Sequence, residues 1–331
     1  MTTQSAQSEL GVVVIGRNEG ERLRVCLASA KASKVSEVVV YVDSGSTDKS
    51  AELAQDMGCQ VVNLDMSIPF TAARARNEGF ARAVSLVPNL KFVQFVDGDC
   101  EIASAWLERG MNFLSVHDTI AVICGRRRER FPQKSIYNQL CDIEWDSPIG
   151  PARSCGGDAM MRASALSAVG GYRQSLIAGE EPELCVRLRA NGWKIWRLDI
   201  EMTLHDAAMH HFAQWWNRAK RAGHAFAEGA FLHGSAPERH YIPEFRRAIL
   251  WGLILPLGIA TGSVFNPALL LLVLVYPLQV IRLALSNQSN GVVAWWRALF
   301  LVLGKFPEAQ GVCRFYYNKM LSKSATLIEY K

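Results

Sequence analysis

Along the first two-thirds of the chain, short runs rich in Val and Ile alternate with segments of helical spacing. Leu10–Ile15, Glu37–Val42, Cys59–Leu64, Lys91–Val96 and Thr119–Cys124 predict strands. Glu21–Lys31, Thr47–Met57, Thr71–Val87 and Ser104–Ser115 predict helices between them. This alternation predicts an α/β fold with a mostly parallel sheet covered by helices on both faces. Ligands of such sheets bind outside the carboxyl ends of the strands. Three polar tips fall there: Arg17-Asn18-Glu19, Asp43-Ser44-Gly45-Ser46-Thr47-Asp48 and Asp97-Gly98-Asp99. Further on, Arg162–Val169 predicts a helix and Trp193–Leu198 a strand.

The pattern then changes. His210–Phe231 mixes Phe212, Trp215, Trp216 and Phe226 with Arg218, Lys220, Arg221 and His224, which predicts an amphipathic helix suited to a membrane interface or to core packing. Ala248–Val264 carries no charge, Phe265-Asn266-Pro267 interrupts it, and Ala268–Ile281 is apolar again; Gly291–Leu303 is a weaker third stretch. Each falls short of the roughly 20 residues that cross a ~30 Å hydrocarbon core. A shallow helical hairpin or two tilted, Pro-broken spans is therefore expected, against a greasy core helix pair. Arg246 and Arg247 on one flank and Arg282, Lys305 and Arg314 on the other favour both ends on the cytoplasmic side.

Composition adds exclusions. With 331 residues, half of them apolar, the chain can form one substantial domain and a smaller region. A net charge of +5 with one basic run, Arg126-Arg127-Arg128-Glu129-Arg130, argues against a general nucleic-acid surface. That run suits either a phosphate or anionic-lipid contact or a solvated face. Eight scattered cysteines without a C-x-x-C pair predict free thiols in a reducing compartment. Met1–Glu9 is polar and lacks the layout of a signal peptide, so the α/β part is expected in the cytoplasm.

The acidic tips carry the candidate chemistry. Asp97 and Asp99 flank a glycine after a buried strand and suit a divalent cation held against a diphosphate. Gly45 permits a tight turn and Ser46 or Thr47 can cap the next helix. Asp43 is free of that duty, so it and Glu19 can accept hydrogen bonds from a base or a ribose.

Taken in order, Val12–Glu19, Asp43–Asp48, Ala73–Gly79, Val96–Asp99, the run Gly156-Gly157-Asp158-Ala159-Met160-Met161-Arg162 and Gly179–Trp193 resemble the motifs of family 2 glycosyltransferases of GT-A fold, over roughly residues 10–210. The resemblance implies a nucleotide-sugar donor, most often a UDP-sugar, bound with Mg2+ or Mn2+. It implies nucleoside contacts from Glu19 and Asp43, and Arg76, with Arg74 as the alternative, near the donor. Asp97 would face the ribose or the metal, and Asp99 would ligate the metal directly. His205 matches a position where such folds place a further ligand; His210 and His211 compete with it.

Glu180, Glu181 and Glu183 open a helix whose face is set by Leu184 and Leu188, with Pro182 in its first turn. Charge complementary to the helix dipole is one reading of them. A general base for the acceptor hydroxyl is the other. The family pattern has Glu-Asp at Glu180-Glu181, so Glu181 replaces the expected base and Glu180 competes for the role. Gly157 and Asp158 are expected on the acceptor side, turn formation being the alternative for Asp158.

The expectation is a polar tail over residues 1–9, a GT-A domain over 10–209, an amphipathic bridging region over 210–245 and a membrane-associated helical region over 246–331. The implied function is a metal-dependent inverting glycosyltransferase on the cytoplasmic face of the membrane. It would use a lipid-linked or saccharide acceptor in cell-surface polysaccharide or glycolipid synthesis. A polyprenyl-phosphate sugar synthase and a non-catalytic sugar-nucleotide-binding scaffold are the alternatives. A nucleotidyltransferase is disfavoured because Arg17-Asn18-Glu19-Gly20-Glu21 is too acidic for a phosphate loop.

Overall fold

The computed structural model describes residues 9–286, 291–323 and 327–328. The polar tail expected over 1–9 lies outside the described residues apart from Glu9, as do 287–290, 324–326 and 329–331 of the C-terminal region. The chain divides into two compact units. One comprises Met1–Pro132, Cys141–Leu176 and Glu180–Ala208; the other comprises Gln133–Leu140, Ile177–Gly179 and Met209–Lys331.

The first unit is built on a nine-stranded sheet. Its strands are β1 (Leu10–Gly16), β2 (Ser36–Asp43), β3 (Gln60–Asn63), β4 (Phe92–Asp97), β5 (Cys100–Ile102), β6 (Ile120–Glu129), β7 (Gly150–Ala152), β8 (Ala159–Arg162) and β9 (Lys194–His205). Their order is β3-β2-β1-β4-β8-β6-β9-β5, with β7 on β9. The first four in that order pair in parallel, joined by the helices α1 (Glu21–Ala32), α2 (Ser50–Asp56) and α3 (Ala72–Leu86). The mostly parallel expectation needs correcting beyond that point. Strand β8 runs antiparallel to both β4 and β6, and β5 and β7 run antiparallel to β9. Strand β8 is four residues long, too short to show a period in the sequence. The remaining helices of the α/β pattern are α4 (Trp106–Val116), α6 (Ala163–Ala168) and α7 (Glu180–Ala190), while α5 (Ile136–Glu144) is divided between the two units at Cys141.

Strand β1 is buried on both faces, as its unbroken Val-Ile run requires. A side chain on Gly79 of α3 would collide with Val13 and Val42, so this glycine lets the helix lie directly on β1 and β2. Gln94 interrupts the apolar β4 without an uncompensated polar group, because its Oε1 accepts the Trp106 indole N–H at 2.7 Å. The helix expected from Thr47 starts instead at Ser50. Asp48 accepts the Ser50 N–H at 3.1 Å, and Ser46 and Thr47 are bonded to the loop after β1.

In the second unit, α8 (Phe212–His233) packs against the helix Lys305–Met320 at Gly223 and Gly311, where added side chains would strike the partner backbone. The apolar stretches are longer helices than expected: Ile242–Phe265 has 24 residues and Pro267–Ser286 has 20. At 1.5 Å per residue the longer one reaches about 36 Å, more than a ~30 Å hydrocarbon core. The sequence understates it because Glu244, Arg246 and Arg247 occupy its first turns. Pro256 does not break it, since a π-type turn over Leu250–Ile254 accommodates the missing N–H. Both helices are long and apolar enough to cross a membrane. Only 11% and 6% of their most apolar windows is buried, which is not the packing of a core helix pair.

Candidate active site

The expected acidic tips meet at the carboxyl ends of β1, β2 and β4. The loops after β1 and β2 are bonded to each other: Asn18 Oδ1 accepts the Thr47 N–H at 2.7 Å, and the Gly20 N–H donates to Asp48 at 2.9 Å. Asp43 is buried and accepts the N–H groups of Gly45 and Ser46 at 2.9 and 2.8 Å and the Tyr41 hydroxyl at 3.0 Å. It therefore does shape the turn that the sequence reading left to other residues. Glu19 pairs with Arg22 at 2.8 Å. A Cβ on Gly98 would lie 3.2 Å from Ile15 O and 3.3 Å from Glu19 Cγ, which joins the first and third tips through the one residue that fits.

Arg76 organises the centre. Its guanidinium is 2.9 Å from Asp97, 3.1 Å from Glu180 and 2.8 Å from Glu181, with its side chain 3% exposed. The next residue anchors it: Asn77 exchanges two 2.8 Å hydrogen bonds with the backbone of Tyr172, whose ring lies under Arg76 at 5.6 Å. Arg74, the alternative, is occupied elsewhere, donating to the carbonyls of Ile68 and Asp65. Arg127 approaches Asp97 at 3.4 Å and Asp158 at 3.5 Å from β6. Burial opposes the charge on Asp97, but Arg76 and Arg127 outweigh it and hold this carboxyl below its usual range.

The basic run around Arg127 is thus neither one anion patch nor a solvated face. Arg126 is buried and pairs with Asp142 at 3.0 Å and Asp146 at 3.5 Å, Arg128 pairs on the surface with Glu201, and Arg130 with Glu101.

Asp99 and His205 form a second cluster. Asp99 Oδ2 lies 3.3 Å from His205 Nε2, and both side chains are under 8% exposed. His205 ends β9 rather than following a strand, because β9 continues past Asp199 and Glu201 to residue 205. His210 and His211 lie in the second unit, where both backbone N–H groups donate to Gln214 at the start of α8. Cys100 Sγ is also within 4.8 Å of the Asp99 and His205 ligand atoms, but burial pushes its thiol well up and keeps it protonated. What remains is a carboxylate oxygen and an imidazole nitrogen, in a site that also holds the carboxylates of Asp97, Asp158, Glu180 and Glu181 around Arg76 and Arg127. That donor set and surplus of negative charge fit a hard or borderline divalent cation. Sequence reasoning missed Trp145, whose ring meets His205 edge-on at 4.7 Å and carries the Arg127 guanidinium at 4.9 Å. Nothing in its polar surroundings distinguishes it in the sequence.

On the other side of Arg76, Glu181 is 12% exposed and Glu180 5%. Burial and the neighbouring Glu180 carboxylate push Glu181 up to about 7 against the pull of Arg76. Gly157 permits a close approach, since a Cβ there would stand 2.6 Å from Arg76 Nη2 and 3.0 Å from Asp97. Asp158 has a structural duty other than the expected turn. Its side chain is fully buried, and it accepts the Asp97 N–H at 3.1 Å and the Thr203 hydroxyl at 2.7 Å, so it braces β4 and β9 instead of facing an acceptor.

A mixed sheet with flanking helices, whose strand ends gather Glu19, Asp43, an arginine-bound aspartate and an Asp-His pair, has the architecture of a GT-A type nucleotide-diphospho-sugar transferase domain. Residues 11–162 match the model of glycosyl transferase family 2, so this stretch is a glycosyltransferase domain of that family. Glycosyltransferase AglE of Haloferax volcanii is 30% identical over 112 residues, covering 32% of this chain and 35% of that protein. Succinoglycan biosynthesis protein ExoA of Rhizobium meliloti is 28% identical over 187 residues, covering 54% and 55%. The chain thus spans about a third to just over half of these relatives. Among solved structures, mannosyltransferase PcManGT from Pyrobaculum calidifontis, in complex with GDP-Man and Mn2+, aligns with a TM-score of 0.64 over 95% of this chain and 89% of its own, at 16% identity. S. aureus TarS 1–349 aligns with a TM-score of 0.50 over 95% and 92%, at 14% identity. At such identities the likeness is one of fold.

Proposed function

We propose that the chain is a metal-dependent, inverting glycosyltransferase that moves a sugar from a nucleotide-sugar, a UDP-sugar by the family resemblance, to a lipid-linked or saccharide acceptor. The observation that carries this reading is that the Asp99–His205 pair stands at the strand ends beside Asp97, and Arg76 ties Asp97 to Glu181, a glutamate in the first turn of α7 that is raised to about 7. Bound Mg2+ or Mn2+ would neutralise charge on the leaving diphosphate. Asp99 and His205 would hold it, and Glu19 and Asp43 would face the nucleoside. Arg76 keeps Asp97 ionised and orients Glu181.

Glu181, the more exposed of the two paired glutamates, takes the proton from the acceptor hydroxyl. A base with a pKa near 7 is matched to that transfer. Attack on the anomeric carbon opposite the leaving diphosphate inverts its configuration. Gly157, which has no side chain to displace Arg76, would meet the acceptor through its backbone.

The helices Ile242–Phe265 and Pro267–Ser286 support membrane anchoring, and their flanking arginines support the cytoplasmic face. The name of the ExoA relative supports a cell-surface polysaccharide or glycolipid product. NMR of the product anomer tests the mechanism: an inverted centre is expected, and a retained one refutes it. A phosphate acceptor, as in a polyprenyl-phosphate sugar synthase, would need little base catalysis. Full turnover in Glu181→Gln would favour it.

A further inference from the structure

The two nitrogens of the buried His205 ring have different surroundings. Nε2 faces Asp99, whereas Nδ1 is buried with no hydrogen-bond partner and has Glu129 Oε2 3.8 Å away. Glu129 and His205 are direct cross-strand partners in the β6–β9 register. The Glu129 carboxylate is fully buried and fixed from both sides: Oε1 accepts the Phe131 N–H at 3.0 Å and Oε2 the Ala207 N–H at 2.9 Å. Trp145 closes the ring edge-on.

We propose that Glu129 is a positioning residue that keeps the His205 proton on Nδ1 and so leaves the Nε2 lone pair free to ligate, with Asp99, a divalent cation. This rests on the proposed metal-dependent reading of the site. A neutral imidazole carries its single proton on one nitrogen, and the group facing that nitrogen selects it. With the proton on Nε2 the ring would donate to Asp99, and neither group would offer that lone pair to a cation. Carboxylates behind metal-binding histidines orient the ring and raise its basicity in the same way. In the sequence, Glu129 is hidden inside a basic run.

Two measurements on the full chain in detergent test the inference. In metal-free protein labelled with 15N-histidine, the His205 ring, assigned through His205→Gln, is expected as the Nδ1–H tautomer; an Nε2–H ring overturns the proposal without any change at Glu129. Mn2+ binding in the presence of UDP, followed by EPR, is expected to weaken about 10–100-fold in Glu129→Gln. Glu129→Asp, which keeps the carboxylate, should recover part of the loss, as a role confined to bracing the loop would not require. Wild-type affinity in Glu129→Gln overturns the proposal. If the wild-type protein binds no Mn2+ with UDP, the metal-dependent function fails instead, a result distinct from the tautomer.

Discussion

The sheet unit buries charge, whereas the helical unit exposes apolar surface. Arg76, Asp99, Asp158, Glu129 and Glu180 lie inside the first, while Phe265 is 89% and Val264 80% exposed in the second. Both conditions are costly in water, the first through desolvation and the second through apolar hydration. In the first unit the cost is partly offset by ion pairs, and a net negative charge remains that a cation would complete. In the second nothing polar offsets it, and a lipid phase would.

The sharpest way to break this comparison is to remove the carboxylate beside His205. Asp99→Ala should slow transfer about 10^4-fold, equivalent to about 5 kcal/mol of lost charge stabilisation. Calorimetry should show that Mn2+ no longer strengthens UDP binding. Metal-enhanced UDP binding that survives the substitution would remove Asp99 from the metal site.

Glu181→Gln should lower kcat by about 10^2–10^4-fold with a smaller change in KM. The base acts when ionised, so wild-type activity should rise with pH through about 7, and this limb should vanish in the residual activity of the variant. The stability effect has the opposite sign. A carboxyl raised from 4.5 to about 7 binds more protons folded than unfolded between those values, so its contribution is full below about 4.5 and is lost as pH rises through 7. Thermal unfolding of wild type and variant across pH 4–8 should show this difference. Identical pH dependences would place the Glu181 pKa near its unfolded value.

The basic run sharpens the contrast between buried and exposed charge within one strand. Arg126→Ala would leave Asp142 without the guanidinium it faces at 3.0 Å and should destabilise the sheet unit by about 3–5 kcal/mol in denaturant titrations. A change under 1 kcal/mol would show that water replaces the guanidinium there.

For the helical unit, Leu278→Lys places a charge in the middle of Pro267–Ser286, at a side chain that is 62% exposed. A lysine at the centre of a membrane helix costs about 2.5–3.5 kcal/mol, so the membrane-bound fraction in flotation assays should fall sharply. Unchanged flotation would mean that this face does not meet lipid.

The legible parts of the fold were those with a period long enough to repeat. Strands β1, β2 and β4 and the turns after them show as apolar, Val-rich runs followed by acids, because their central residues are buried on both faces, whereas the half-exposed β3 shows only as Val61-Val62. Strand β5 has three residues and β8 four, so neither carries a period, and β8 is what makes the sheet mixed. Polar residues hid the true extent of β6 and β9: Arg126–Glu129 and Asp199–Glu201 are strand residues, and Arg128 pairs with Glu201 across the sheet. The same effect hid Glu129 and Trp145, which depend on contacts distant in sequence. Residue type carried the site further than pattern did. Acids at strand ends mark it in the sequence, while only the structure shows Asp158 sealed inside and Arg127 reaching in.

The smallest expected effect comes from the residue two places beyond Arg126. Arg128 and Glu201 meet at 2.7 Å with two hydrogen bonds, the geometry of a strong pair, yet their side chains are 48% and 52% exposed. Water already solvates both groups and salt screens them, so Arg128→Ala should cost no more than about 1 kcal/mol. The double-mutant cycle with Glu201→Ala, run at low and at high salt, measures the coupling directly. A coupling of several kcal/mol would mean that distance, and not burial, sets the worth of charge along this strand, and the division between the two ends of the basic run would collapse.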